Sequence, residues 1–462
     1  MKKTKIVATI GPKSESPDIL QKLSDAGVNV FRLNFSHGSH EEHGAKIDTI
    51  RKLNLAGGIL LDTKGPEIRT GEVRGEIDVK TGDSLTLTID KGIYEDTNKL
   101  SVNYPEFIKD VKTGTIIVID SGVIKAEVKE IKGNDVLCKI IAGSGKITTK
   151  RHINLMGEHV SLPTVTENDW KDIEFGIEKK VDFIALSFVR TGQDIEEVRE
   201  FCKKKGHIPH IIAKIENQEA VDNLEDIVIA SDGIMVARGD LACEVNFAKV
   251  PQIQKEIMDL CFIYSKPVIV ATQMLMSMVN NITPTRAEVS DVANAVYEGT
   301  HAVMTSDETT KGLYPLESIE TMAEIVKVNE GDFEQQEYSM PIEELNLELA
   351  KSAISMIEST SGIDAIVVLT KSGRMASFIS NERPNCPIFA FTNNDLACNT
   401  MSLLYDVYPY KIDFIADDYE KTINNAIDII RKNKDYKVRK CLVISYYKAN
   451  GKNYPSITIR EI

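Results

Sequence analysis

Eight short apolar runs recur along the chain, and each ends in polar or charged residues. They are KIVATIG from Lys5, VNVFRLNFS from Val28, GILLDTK from Gly58, VDFIALSF from Val181, HIIAKIEN from His210, GIMVARGD from Gly233, PVIVATQM from Pro267 and HAVMTSDE from His301. Helical patterns alternate with them. Ser16-Pro17 opens one such helix with proline in its first turn. Ile19, Leu20 and Leu23 follow at helical spacing, and Ala26-Gly27 stops it. The alternation predicts a (β/α)8 barrel, in which the active site lies at the C-terminal ends of the strands.

From about Thr70 the rhythm changes to short alternating runs with turn residues between them: DSLTLTID, TGTIIVIDSG, IKAEVKEIKGN and DVLCKIIAGSGKI. This predicts a small all-β domain inserted between the third and fourth barrel strands. The α/β alternation resumes at Leu162-Pro163. A polar stretch, VNEGDFEQQEYSMP, then reads as a linker into a second α/β region with strands at DAIVVLT, CPIFAFT and KCLVISYY. The expected division is 1–69 and 162–332 for the barrel, 70–161 for the inserted domain and 333–462 for the C-terminal domain. GSGKI at Gly143 resembles a phosphate loop but lacks the leading glycine and the following Ser/Thr, so a hairpin turn is expected there.

A length of 462 residues requires more than one domain, in line with this division. The net charge of −14 argues against a general nucleic-acid or acidic-membrane binder, so any phosphate site must concentrate positive charge locally. No apolar run reaches membrane-spanning length, and the basic N-terminus breaks at Gly11-Pro12 too early for a signal sequence. The seven cysteines are dispersed without a CxxC pair, which fits reduced thiols in a cytoplasmic enzyme.

The strand ends carry Arg32, Asn34, Ser36, Asp62, Thr63, Lys214, Glu216, Asp240, Thr272 and Glu308. Lys214 and Glu216 alternate along one run and so point the same way, into the barrel mouth. With Asp240 from the next strand, two carboxylates suit Mg²⁺ or Mn²⁺. The lysine beside them suits charge on a transferring phosphoryl group or a developing enolate. Oxygens of Asn34, Ser36, Asp62 and Thr63 suit a monovalent cation, while Arg32 and Arg69 suit phosphate. In the last domain, Thr370, Lys371, Ser372, Gly373 and Arg374 suit an anion at a helix start.

Taken in order, TKIVATIGP, FRLNFSHG, LDTKGPEIRTG, AKIEN, VARGDL, ATQML, PTRAEVSDVANAV and TKSGR resemble the pyruvate kinase family across essentially the whole chain. The resemblance implies a TIM-type barrel, a mobile β-barrel lid, and a C-terminal α/β regulatory domain. It implies phosphoryl transfer from phosphoenolpyruvate to ADP, giving pyruvate and ATP, in a homotetramer. By position it implies Glu216 and Asp240 as Mg²⁺ ligands and Lys214 as the group stabilising the phosphoryl transition state and enolate. Thr272 would lie near the carbon that is protonated. Asn34, Ser36, Asp62 and Thr63 would hold K⁺, with Glu67 marking K⁺ dependence. Arg32 would contact phosphate, and the N–H groups of Gly239 and Asp240 the substrate carboxylate. Asn34, His37, Arg69 and Arg151 would meet nucleotide, and residues 370–374 a phosphorylated effector.

The chain departs from the family pattern at Ala242 and Cys243, at Asp307 where glycine is usual, and at His152 and Met156 in the returning hinge. Asp307 is expected to weaken substrate affinity by adding negative charge. These departures keep two rivals open. One is a weakened relative retained for ligand sensing or assembly. The other is a metal-dependent barrel lyase that needs Lys214 and the carboxylates but not Arg69 or Arg151.

Overall fold

A computed structural model describes residues 2–94, 98–331, 345–415, 418–432, 437–449 and 452–462. All eight apolar runs form strands: β1 (Lys5–Thr9), β2 (Val30–Asn34), β3 (Gly58–Asp62), β4 (Phe183–Leu186), β5 (His210–Ile215), β6 (Gly233–Ala237), β7 (Val268–Ala271) and β8 (Ala302–Thr305). They are parallel, each beside its neighbour in sequence, and β8 returns to β1 to close a barrel. Side-chain alternation explains two separate apolar clusters. Val7, Val30, Leu60, Phe183, Ile212, Met235 and Ile269 face inward, and the intervening residues, such as Ile6, Phe31 and Ile211, meet the surrounding helices. Leu403 of the C-terminal domain joins the inward cluster and plugs the underside of the barrel. The first helix is Pro17–Asp25, capped by Ser16 as the sequence indicates.

The inserted domain has its own core, built from residues such as Leu87, Phe107, Ile117, Val128 and Val136. Among the described residues its sheet has eight strands, and a bridge between Thr70 and Val102 brings its two ends together. The sheet starts at Ile68–Arg69, where Ile68 is buried in this domain's core and the two residues pair with Ile153 and His152. One expectation needs correction. GSGKI is not a hairpin turn. It is the far half of the strand Asp135–Ile147, which changes partner from Ile124–Lys132 to Ile77–Lys80. Gly143 makes that change of course possible: its φ is +89°, and a Cβ there would lie 2.0 Å from the carbonyl oxygen of Val123.

The C-terminal domain is a five-stranded sheet in the spatial order Val407–Lys411, Ile388–Thr392, Ala365–Leu369, Lys440–Ala449, Lys452–Glu461, the last strand antiparallel. Apolar clusters cover both faces. Most of the expected linker, with the boundary between 332 and 333, lies outside the described residues.

Candidate active site

A network of buried charge fills the rim of the barrel. Asp62, at the end of β3, is 1% exposed and receives Arg32 Nε at 2.6 Å on one carboxylate oxygen and Lys214 Nζ at 3.0 Å on the other. Arg32 also donates to Thr9 Oγ1 at 2.8 Å, so it bridges three adjacent strand ends. Burial alone would raise the Asp62 carboxyl pKa, but the two cations outweigh it and hold the group below the ordinary carboxylate range.

Lys214 is the hub. Its ammonium lies 2.9 Å from Glu216 Oε1 and donates to Ser187 Oγ at 2.7 Å. Burial pulls its pKa down, yet Asp62 and Glu216 overcome this and keep it above the usual lysine value. The side chain is therefore a permanent cation with a fixed direction.

Glu216 is fully buried. Its Oε2 accepts the backbone N–H of Phe188 at 2.7 Å, while Oε1 has no hydrogen-bond donor in good geometry. Burial pushes its pKa up, Lys214 opposes this, and Asp240 adds to the rise. Asp240, in the helix Arg238–Glu244 that follows β6, is raised in the same direction, first by burial. A buried carboxylate whose Oε1 meets only the Lys214 ammonium, with the half-buried Asp240 adding negative charge beside it, is a donor set that fits a divalent cation.

Asn34 lies opposite Asp62 in the β2–β3 register, and its Oδ1 accepts the Ser36 N–H at 3.1 Å. The Thr63 carbonyl accepts from Ser187 Oγ at 2.6 Å. Asn34, Ser36, Asp62 and Thr63 thus fall at the ends of two neighbouring strands. His37 follows in the same turn, and its carbonyl is hydrogen-bonded to His43. Glu308 serves a different purpose: both its oxygens accept backbone N–H groups, from Leu275 and Ser306, so it fastens two rim loops together. Asp307 is paired with Lys311 at 2.8 Å.

Thr272 and Gln273 leave β7 with φ of +68° and +54°, a left-handed pair without glycine. A β-branched residue there costs about 1–3 kcal/mol and persists only where its surroundings enforce it. Thr272 Oγ1 accepts the Gly239 N–H at 2.9 Å and donates to the Ala271 carbonyl at 2.6 Å.

Arg69 and Arg151 belong to the lid. Arg69 forms a two-pronged pair with Glu67 at 2.8 Å per contact, and Arg151 donates to Thr148 and pairs with Asp120 at 3.2 Å. Glu67 also lies near Lys64 and, at 3.8 Å, His152.

Sequence reading passed over Ser187 and Glu244. Ser187 ends the β4 run, two residues beyond Ala185, and alternation alone points it into the mouth. Glu244 joins the barrel to the returning hinge. Its Oε1 receives Asn154 Nδ2 at 2.6 Å, its carbonyl accepts the Gly157 N–H, and burial pushes its pKa to about 8. No spacing signal marks it.

Far from this rim, Thr370 follows the strand Ala365–Leu369, and its hydroxyl accepts the N–H of Gly373, which has φ of +84° and opens the helix Arg374–Asn381. Ser372, Gly373 and Arg374 line a cavity of about 460 Å³ between this domain and the barrel underside, with Lys266 and His210 opposite. Among the described residues no helix is long and apolar enough to cross a membrane.

Comparison with known proteins agrees with this arrangement. A family described as "Pyruvate kinase, barrel domain" matches residues 1–319, and one described as "Pyruvate kinase, alpha/beta domain" matches residues 348–452. A pyruvate kinase of Staphylococcus aureus (strain MRSA252) is 45% identical over 423 residues, covering 88% of this chain and 72% of the relative. One from Sporosarcina psychrophila is 43% identical with the same coverage of both chains. Pyruvate kinase isozyme G, chloroplastic, of Nicotiana tabacum is 40% identical over 93% of this chain and 77% of its own length. The barrel, its charged rim and both matched domains lead to one conclusion: the chain belongs to the pyruvate kinase family, the metal-requiring enzymes of glycolysis that pass phosphoryl from phosphoenolpyruvate to ADP.

Proposed function

We propose that the rim carries out phosphoryl transfer with Lys214 as its central cation, Glu216 and Asp240 holding Mg²⁺ or Mn²⁺, and Asn34, Ser36, Asp62 and Thr63 holding K⁺. The observation that carries this reading is the ammonium of Lys214, seated between Asp62 and Glu216, which hold its pKa above the usual lysine value. When bound, the cations would offset the charge crowded on the phosphates. Arg32 would orient the phosphoryl group from the side of β2. The Asp240 N–H, and that of Gly239 on exchanging its Thr272 partner for substrate, would receive the substrate carboxylate at the start of their helix. Lys214 would then stabilise the phosphoryl group in flight and the enolate left behind. Protonation of the enolate carbon beside Thr272 would give pyruvate.

Arg69, Arg151, Asn34 and His37 are proposed to meet ADP. Closure of the lid that carries the two arginines would exclude water and suppress hydrolysis. Residues 370–374 are proposed to receive a phosphorylated effector, and the enzyme to act as a cytoplasmic homotetramer.

The test is pyruvate formation from phosphoenolpyruvate and ADP with Mg²⁺, with K⁺ present or replaced by a non-binding cation. K⁺-stimulated turnover is expected. Phosphoenolpyruvate binding without turnover in any salt would instead favour the weakened relative, and turnover without ADP the lyase.

A further inference from the structure

The left-handed turn at Thr272 needs something to hold it, and one side chain does so. Arg238, at the end of β6, reaches across to β7. Its Nη2 donates to the Thr272 carbonyl at 2.8 Å, and its Nε to the Ala271 carbonyl at 3.3 Å. The far side of the guanidinium is gripped by both carboxylate oxygens of Asp291, each at 2.7 Å, from the helix Arg286–Tyr297. Three elements meet at this one planar group. Two of them carry chemistry: Gly239 and Asp240 directly follow Arg238, and Thr272 is the residue whose carbonyl it holds.

We infer that Arg238 is a positioning residue, with Asp291 as its anchor. It fixes the strained Thr272 backbone so that the threonine hydroxyl meets the N–H of Gly239. The geometry explains why this task falls to arginine. A fork is needed to hold two carbonyls on one side and a carboxylate on the other, and lysine, a single point charge, cannot hold all four oxygens in one plane. Without the fork, φ of Thr272 is free to relax to negative values. Its hydroxyl would then leave Gly239, and the protonation side of the site would lose its alignment. The inference rests on the role proposed above for Thr272.

Arg238→Lys, Asp291→Asn, Thr272→Ala and the double variant Arg238→Lys/Thr272→Ala provide the test. Two readings are taken on each folded enzyme. One is steady-state kcat and KM for both substrates. The other is exchange of the methyl protons of pyruvate with deuterium oxide, followed by NMR with Mg²⁺, K⁺ and ATP present. In that exchange a C–H proton leaves pyruvate to give the enolate, and a deuteron takes its place.

Misplacement of a reacting group by an ångström can cost about 100-fold. Arg238→Lys should therefore lose about 100-fold in both kcat and proton exchange, Asp291→Asn about tenfold, and KM for ADP should hold within about twofold. The double variant should be no slower than Thr272→Ala alone, because both changes remove the same alignment. Losses that multiply in the double variant would overturn the inference. So would an Arg238→Lys enzyme with full proton exchange while Thr272→Ala is impaired. Full activity of Thr272→Ala would instead remove the role given to Thr272, and the inference with it.

Discussion

Lys5 and Lys214 sit at opposite ends of the same barrel, both buried, at 2% and 8% exposure, yet they behave in opposite ways. Lys5 begins β1 on the underside. It donates to the backbone carbonyl of Val407 at 2.7 Å and lies 4.6 Å from the centre of the Tyr408 ring. Burial dominates there and pulls its pKa down to about 8, against the pull of Asp406 and Glu330. Lys214 ends β5 on the upper rim, where Asp62 and Glu216 outweigh burial. Burial alone does not decide the state of a charge. Lysines on the underside such as Lys5 and Lys266 rest on backbone carbonyls and hold domains and loops together. The upper rim instead sets charged side chains against one another.

The sharpest way to break this contrast is to remove each lysine. Lys214→Met should lower kcat by about 10³-fold with the fold intact, the scale of losing a principal electrostatic group. Lys5→Met should leave kcat within about twofold but lower stability by about 1–3 kcal/mol, because the Val407 carbonyl loses its donor. Pyruvate formation and urea melts on both variants decide the matter.

Next in size, Glu216→Gln and Asp240→Asn should each weaken Mn²⁺ binding by about 100-fold or more, since even outer-shell changes cost 10–100-fold. Titration followed by electron paramagnetic resonance reads this directly. The same carboxamide change on the underside, Asp182→Asn, should leave Mn²⁺ affinity unaltered, because Asp182 is engaged by the Ile59 N–H and Asn399.

A smaller effect appears in pH. The folded pKa of Lys5, about 8, lies below the free-lysine value near 10.4. Between these values the unfolded chain holds a proton that the folded one has released, so stability should rise with pH. Unfolding free energies at pH 7.5 and 9.5 should show the native chain gaining up to about 2 kcal/mol relative to Lys5→Met. A flat difference would mean that Lys5 stays charged.

The smallest effect is expected at Asp307. Its pairing with Lys311 offsets much of its charge, so Asp307→Gly should lower KM for phosphoenolpyruvate or ADP only about two- to fivefold, the range of an exposed ion pair. Unchanged KM values would show that Asp307 has no influence on the phosphates.

The barrel was legible because each strand is an apolar run with a polar end, and period-two alternation places Lys214 and Glu216 on one side. The C-terminal strand Val407–Lys411, YPY at its centre, and the closing antiparallel strand were missed because neither forms a purely apolar run. Within the site, residues at strand ends were readable, whereas Glu244 was not. Its importance comes from Asn154, ninety residues away in sequence, and only the fold brings the two together. Glu308 was placed correctly at the rim, but its purpose depends on the backbone N–H groups around it, which sequence does not display.

The lid leaves the barrel after β3 and returns ahead of β4, two neighbouring staves, with its outgoing and returning chains paired at Ile68–Ile153 and Arg69–His152. Arg190, beyond β4, clasps the carbonyls of Val160 and Leu162 on the return. In mechanical terms this is a hinge with two leaves. A plate held that way turns about the line through its pins and resists sliding along it. The closure proposed above would then reduce to one angle, and no part of the barrel would have to be rebuilt.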